Sequence, residues 1–592
     1  MKSGYEISMN IDERYKITSN DYADLLVNHR NDTAAFNNFP SGSINYIDSN
    51  FAVLYIPAKE LTVNSLARFG YPAIPRCYGL QSTPNRIEVP ISCASNDTPN
   101  SLTGRGVLIG VVDTGIDYLS PLFQTAFNTT RIISIWDQTI ESDTDFPEDF
   151  YYGTEYSEAQ INMAIKSDNP HGIVPSIDDV GHGTMIAGIA GGSNLPQFEY
   201  SGISNECDFI IVKLKEAKEN LKDFLCIPKE AIAYQENDIM MGVSYLIQYA
   251  TKLRRPISIL IGLGASQGDH SGRGYLSSFL SYYSNFSGVV VSVPAGNESN
   301  RGHHFYGEIN PSIGFENVEL SVGAHEEGFL LEIYGVPPSD FWIEIITPTN
   351  EYLGRINPSI GGDRTIQIFY LNSSIIIDNQ LIEDYRTIEQ LIVMRFRNPL
   401  AGTWRFIISS ESDLTAQFHI WLPIEAFIQK STYFFKPNNN TTITSPGNSE
   451  RSITATAYNP TNQTLYFYAS KGNTVLNDPK PDITAPGVDI MVPINSSVSL
   501  TSSGTSLATA YIAGMVALLL QWGIIDGNNL YLNGIQVKKS LILGAKRDPN
   551  LDYPNPDWGY GIADLEKTLL GIQKDIGGDT YPGQKNVIPN PN

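Results

Sequence analysis

Residues 107–117 read VLIGVVDTGID. An unbroken apolar run ends in an acid, a threonine and a glycine. A run apolar at every position, rather than at every second one, fits a strand covered on both faces, as in a parallel sheet. An aspartate at the C-terminal end of such a strand stands where open α/β sheets hold their ligands, although many folds place an acid there. The same grammar recurs downstream in CDFIIVKL (207–214), PISILIGLGAS (256–266) and GVVVSVPAGN (288–297), with helix-like stretches near Asp238–Ala250 and Tyr275–Ser284. Strand alternating with helix predicts an α/β fold: a parallel sheet with helices on both faces.

Between about 312 and 430 the alternation stops. FENVELSVGA, FLLEIYGV, DFWIEIITP, IQIFYL, QLIVMRFR, TWRFIISS and AQFHIWLP are short, β-branched and aromatic, with turn residues between them. That pattern predicts an all-β sandwich or jelly roll inserted into the α/β domain. The α/β grammar resumes at ITSPGNSERSITATAYN (443–459).

The first 81 residues read as a small α+β unit. Strand-like runs are YEISMNI (5–11) and INYIDSNFAVLYIP (44–57); helix-like runs are SNDYADLLVNHR (19–30), opening on cap residues, and KELTVNSLARFG (59–70), closing on Gly70. Two helices among strands suggest a split βαβ arrangement. QSTPNRIEVPISCASNDTPNSLTGRG (81–106) then reads as a linker or extended surface segment. The expected organisation is therefore 1–81, 82–311, 312–430 and 431–592.

At 592 residues the chain is too long for one core. Its 39 basic and 63 acidic side chains leave a net charge of −24. Binding nucleic acid needs Lys and Arg against phosphates, so that class of partner is excluded. Cys77, Cys93, Cys207 and Cys226 are scattered and form no CxxC pair, which predicts free thiols rather than a disulfide framework or zinc ribbon. The polar N-terminus lacks an apolar signal region, so no secretory route is expected. Leu507–Ile525 nearly reaches bilayer length, but Thr509, Gln521, two glycines and the absence of flanking Lys or Arg favour a core helix over a membrane span. No DxDxDG loop is present, and no metal or cofactor is expected. Sequons such as Asn31-Asp32-Thr33 are incidental without a secretory route.

Three stretches carry chemistry. Asp113 ends the opening run. His182, one of eight histidines, is bracketed by glycines in VGHGTMIAG (180–188) before a small-residue helix. Glycines there permit close backbone approach, though an ordinary helix-start histidine reads the same way. Ser506 lies in SGTS (503–506), at the mouth of the run that ends in VALLL. It is either a helix cap or a nucleophile. A helix N-terminus offers free N–H groups and partial positive charge to an oxyanion, and a hydroxyl needs a base beside it to attack.

In order, Asp…His…Ser with DTGID, GHGT and GTS resembles the subtilisin-like serine proteases. Pro294-Ala295-Gly296-Asn297 and KPDITAPGV (480–488) extend the match over about 100–310 and 430–570. The resemblance implies Ser506 as nucleophile, His182 as general base, Asp113 as its partner, and Asn297 in the oxyanion hole with the Ser506 N–H. It also implies substrate binding at Leu263, Gly264, Ala295 and Gly296, Leu263 and Gly264 forming an edge strand to which a peptide adds. Two features depart from the family: Thr509-Ala510 replaces its small residue and proline, and the β insertion lengthens the Asn297–Ser506 interval. By the same resemblance, residues 1–81 are a propeptide, a folding chaperone and inhibitor whose Tyr78-Gly79-Leu80-Gln81 tail lies in the active site. Self-cleavage between Gln81 and Ser82 is expected, with a site nearer Asn96 as alternative.

The whole layout, with the ITSNDYADLLV opening (17–27) and the inserted jelly roll, resembles the clostridial Csp germination proteases. That resemblance implies an enzyme packaged in the spore that cleaves a cortex-lytic pro-enzyme, and partners limited to that substrate and its own propeptide. It leaves open a non-catalytic germinant-sensing regulator, or a housekeeping subtilase unrelated to spores. The insertion is expected to brace the core, with docking of a substrate or partner as the other reading.

Overall fold

Leu108–Asp113 is an inner strand of an eight-stranded sheet. Ile257–Ile261 and Asp208–Lys213 flank it in parallel. Val289–Pro294, Ile453–Tyr458 and Ile483–Pro486 continue the sheet on one side and Ile132–Asp137 on the other, also parallel. Thr154–Ser157 closes the far edge antiparallel. The structure, a computed structural model, describes residues 10–87, 102–335, 340–357, 364–384, 387–495 and 497–577.

The opening run is apolar throughout because both faces are covered. Ile109 and Val111 pack with Met185 and Ile186 of the His182–Gly191 helix and with Leu507 and Val516 of the Thr505–Leu520 helix. Leu108 and Val112 pack with Ile239 and Leu246 of the Glu236–Leu253 helix and with Leu276 and Phe279 of the Tyr275–Tyr283 helix. The Thr505–Leu520 helix is buried at every position but Tyr511. Its bilayer-like length reflects a central place in the core, where a helix apolar all round belongs.

A sandwich of two antiparallel sheets stands beside this core. One carries His304–Ile309, Ala416–Trp421, Gly328–Gly335, Thr387–Arg397, Ser373–Asp384 and Arg364–Tyr370 in that spatial order. The other carries Tyr352–Ile356, Trp342–Ile346, Gly402–Ser409, Phe315–Val322 and Tyr433–Phe434. Phe329, Phe396, Trp404, Phe406 and Phe418 fill the space between them. All seven strands expected from the sequence form. His304–Ile309 and Tyr433–Phe434 also join the sheets, which therefore reach beyond 312–430 at both ends.

The N-terminal unit departs from expectation. Tyr22–Asn28, within the helix-like run 19–30, is a strand in a three-stranded antiparallel sheet of order Tyr22–Asn28, Phe51–Pro57, Ser43–Tyr46. Leu26 faces one apolar cluster while Ala23, Leu25 and Val27 face another, so burial on both sides erased the alternation that marks a strand. Among the described residues of the unit there is one short α-helix, Ser65–Phe69 ending on Gly70, where a split βαβ motif needs two. The strand expected at 5–11, the thiol of Cys93 and the alternative cleavage site at Asn96 lie outside the described residues or almost wholly so. Cys77, Cys207 and Cys226 are free and buried.

The unit is held from two sides. Asp24 Oδ1 accepts from Lys218 Nζ at 2.6 Å, and its Oδ2 accepts from Gln235 Nε2 at 2.9 Å and Asn237 Nδ2 at 3.1 Å. Lys218 also donates to the Lys16 and Tyr22 carbonyls at 2.9 and 3.2 Å. From the sandwich, Glu332 accepts from the Tyr71 hydroxyl at 2.6 Å, and Arg395 donates to the Val63 carbonyl at 2.7 Å.

Candidate active site

Asp113, His182 and Ser506, far apart in sequence, meet in one buried row. Asp113 ends its strand with a fully buried carboxylate. Its Oδ1 accepts from the Thr114 N–H at 2.8 Å and stands 2.7 Å from His182 Nδ1. An ionised carboxylate only accepts, so this contact places the ring proton on Nδ1. His182 Nε2 is thereby left as an acceptor, 3.1 Å from Ser506 Oγ. Ser506 occupies the first turn of the buried Thr505–Leu520 helix.

The His182 helix begins where the Asp113 turn passes over it. A Cβ on Gly183 would stand 2.1 Å from the Gly115 carbonyl oxygen, so the two backbones meet only because residue 183 has no side chain. Asp178 ties these segments together. Its Oδ1 accepts from the Gly181 N–H at 2.8 Å and the Thr114 hydroxyl at 2.7 Å. Its Oδ2 accepts from the Thr184 N–H at 2.9 Å and the Thr184 hydroxyl at 2.6 Å. The carboxylate thus caps the helix from upstream of Gly181, whose φ of +83° turns the chain into it. Sequence reasoning missed Asp178; the one available signal was an acid shortly before GHGT.

The chain's own Gln81–Ser82 peptide runs through this site. Cys77–Leu80 forms a strand between Leu263–Gly264 and Tyr234–Gln235, antiparallel to both, with Leu80 opposite Leu263 and Gly79 opposite Gly264. The Gln81 N–H continues the ladder to the Gly262 carbonyl at 3.2 Å. Beyond the site, Asn85–Ile87 pairs with Ser499–Ser502, and Ser502 Oγ donates to the Thr83 carbonyl at 2.9 Å. Between these anchors Gln81 and Ser82 are buried, and Ser506 Oγ lies 2.9 Å from the Ser82 hydroxyl.

The Gln81 carbonyl oxygen accepts from Asn297 Nδ2. Which end of that amide faces the carbonyl is set by Thr505, whose N–H and hydroxyl both lie 3.1 Å from Asn297 Oδ1. Ala295 and Gly296 support Asn297. Ala295 exchanges backbone bonds with Ala455 and Thr444, each 2.9 Å. The Gly296 N–H donates to Thr505 Oγ1 at 3.1 Å. Leu263 and Gly264 meet the Cys77–Leu80 strand directly, whereas Ala295 and Gly296 frame the amide. A side chain on Gly264 would meet the Gln81 amide nitrogen at 2.8 Å, so the Gln81 side chain lies against that glycine. Among the described residues, no group of three or more His, Cys, Asp or Glu could hold a metal ion.

The subtilase family model matches residues 104–316 and 425–561, leaving out most of the β-sandwich. Pyrolysin of Pyrococcus furiosus is 34% identical over 129 residues, 21% of this chain and 9% of its own length. The serine protease AprX of Bacillus subtilis is 34% identical over 154 residues, 22% of this chain and 32% of its own. The matched stretches thus span a third or less of these relatives. The structure of the Clostridium perfringens CspB protease superposes with a TM-score of 0.70 at 31% identity, covering 79% of this chain and 93% of that one.

Proposed function

This chain belongs to the subtilase family, and from that premise we propose that it is a serine endopeptidase that first cuts its own Gln81–Ser82 bond. The observation that carries this reading is a single juxtaposition. The Gln81 carbonyl oxygen rests on Asn297 Nδ2 while Ser506 Oγ stands beside Ser82 and 3.1 Å from His182 Nε2.

His182 Nε2 takes the Ser506 hydroxyl proton as Oγ attacks the Gln81 carbonyl carbon. Asp113 holds the ring in the tautomer that can accept it and stabilises the imidazolium that forms. The Gln81 oxygen, now an oxyanion, draws on Asn297 Nδ2 and on the helix N-terminus at Ser506. As the intermediate collapses, the carbon–nitrogen bond to Ser82 breaks and His182 returns the proton to the departing amine. A water deprotonated by His182 then releases Gln81 as a carboxylate and restores the Ser506 hydroxyl. A second polypeptide would lie along Leu263–Gly264 once that edge is vacated, and be cut in the same way.

The likeness to CspB over 93% of that chain supports a Csp-type role, with the physiological target a cortex-lytic pro-enzyme activated by limited proteolysis in the spore. The decisive experiment is intact-mass analysis of the purified wild type and Ser506→Ala. The wild type is expected as two fragments parted at Gln81–Ser82, and the variant as one chain. Equal cutting of both would remove self-processing by this serine.

A further inference from the structure

Gly79 lies in the Cys77–Leu80 strand, third before the Gln81–Ser82 bond on the carbonyl side, and the chain folds over it. A Cβ there would stand 2.6 Å from Ile424 Cδ1 and 3.3 and 3.4 Å from Phe427 Cζ and Cε1. The backbone does not demand glycine: Gly79 is absent from the positive-φ positions and pairs regularly with Gly264. Space alone excludes a side chain, and it is side chains that take it.

Ile424 and Phe427 belong to the connector between the Ala416–Trp421 and Tyr433–Phe434 strands of the sandwich. Both are buried, in one apolar cluster with Cys77 and Trp421. The connector is pinned. The Leu422 N–H donates to the His303 carbonyl at 2.9 Å, the Glu425 N–H to Glu298 Oε1 at 3.1 Å, and Arg301 pairs with Glu425 at 2.6 Å. Ile424 lies just outside the segments the family model matches and Phe427 just inside, but both lie between two strands of the sandwich, so the roof is part of the sandwich.

We infer that Ile424 and Phe427 form a steric filter that admits only glycine at the third residue before the cleaved bond. Resting on the endopeptidase reading, this narrows the substrate class to polypeptides with that glycine, bound as an added strand on Leu263–Gly264. The β insertion thereby shapes specificity without touching the reacting atoms.

Self-cleavage of the full chain tests it, followed by intact mass after cell-free synthesis of wild type, Gly79→Ala and Gly79→Ala/Ile424→Val. Ile424→Val removes the Cδ1 atom that stands closest. Moving the strand to make room for the alanine methyl misplaces the scissile carbonyl, so Gly79→Ala is expected to cut about tenfold slower or worse. The double variant is expected to regain most of the rate, which a general folding defect at residue 79 would not permit. If the wild type itself stays intact, the endopeptidase reading falls. If the wild type is cut and Gly79→Ala is cut as fast, the filter is wrong and the reading stands. If Gly79→Ala is slow and the double variant equally slow, Ile424 is not the filter and the inference is overturned.

Discussion

Four side chains hold the geometry on which the proposed chemistry depends, and a fifth, Asp178, fastens the segments that carry two of them, Asp113 and His182. Its two oxygens accept four hydrogen bonds from Gly181, Thr184 and Thr114. Asn in its place turns one acceptor into a donor aimed at other donors. For Asp178→Asn we expect a stability loss of about 1–3 kcal/mol, because a buried donor is left unmade. We also expect a fall in kcat with KM little changed, since His182 tilts while the substrate edge at Leu263–Gly264 is untouched. Denaturant melts and steady-state kinetics on one preparation check both. Asp113, His182, Ser506 and Asn297 were legible in the sequence because each sits in a short motif whose glycines or hydroxyls are themselves needed by the site. Asp178 was not, because two of its bonds go to backbone N–H groups at and beyond the left-handed Gly181, and nothing in a string of letters marks that bend.

At the scale of elements, Tyr22–Asn28 explains both what was misread and what holds the N-terminal unit down. A strand buried on both faces loses its alternation and mimics a short helix. The opening 107–117 run escaped this only because it is longer in apolar residues and ends in DTGID. Asp24, on that strand, is buried with Lys218, and each is almost wholly shielded from water. Burial pushes the Lys218 ammonium below its ordinary range, against the pull of Asp24. Asp24→Ala leaves that ammonium to the Lys16 and Tyr22 carbonyls and the Tyr55 ring, without its ion-pair partner, and takes an acceptor from the Gln235 and Asn237 amides. A loss of about 3–5 kcal/mol is expected, the cost of stranding one member of a buried pair. Chemical denaturation of Asp24→Ala on the Ser506→Ala background checks it with the chain uncut. The sandwich strands were easier to read: Phe315–Val322 and Gly402–Ser409 bury one face and leave a visible alternation. Ser373–Asp384 was missed because its polar Asp378 and Gln380 are buried on the face away from the sandwich interior, where Asp378 meets Arg395 at 2.7 Å.

Across the whole molecule, core and sandwich meet at a stack of aromatic rings. His270 of the core lies on Trp421 of the sandwich with ring centroids 4.2 Å apart, and His304 Nε2 is 2.9 Å from His419 Nδ1. Burial lowers all three histidines, His270 to about 4 and His419 to about 3. Two carbonyl contacts and Asp269 pull His270 upward and Arg76 pulls it down, and burial outweighs them. The rings are therefore neutral in the folded state, whereas the unfolded chain takes up their protons near pH 6.5. Stability is full above that pH and is lost as pH falls towards 4, by up to about 1.4 kcal/mol per pH unit for each ring. Thermal melts between pH 7.5 and 4.5 are expected to show this decline. His419→Phe should shallow it by removing one titrating ring while keeping an aromatic face.

Ser82 and Ser506 touch across 424 positions of chain. At translation speeds of about 5–20 residues per second, the ribosome needs roughly 20–85 s to deliver the hydroxyl after the bond it faces. For that interval the junction is chemically inert, because its partner does not yet exist. The Thr505–Leu520 helix then slots into a core most of whose residues precede it in the chain. The proposed self-cleavage is thus timed by synthesis, and waits until residue 506 has been made.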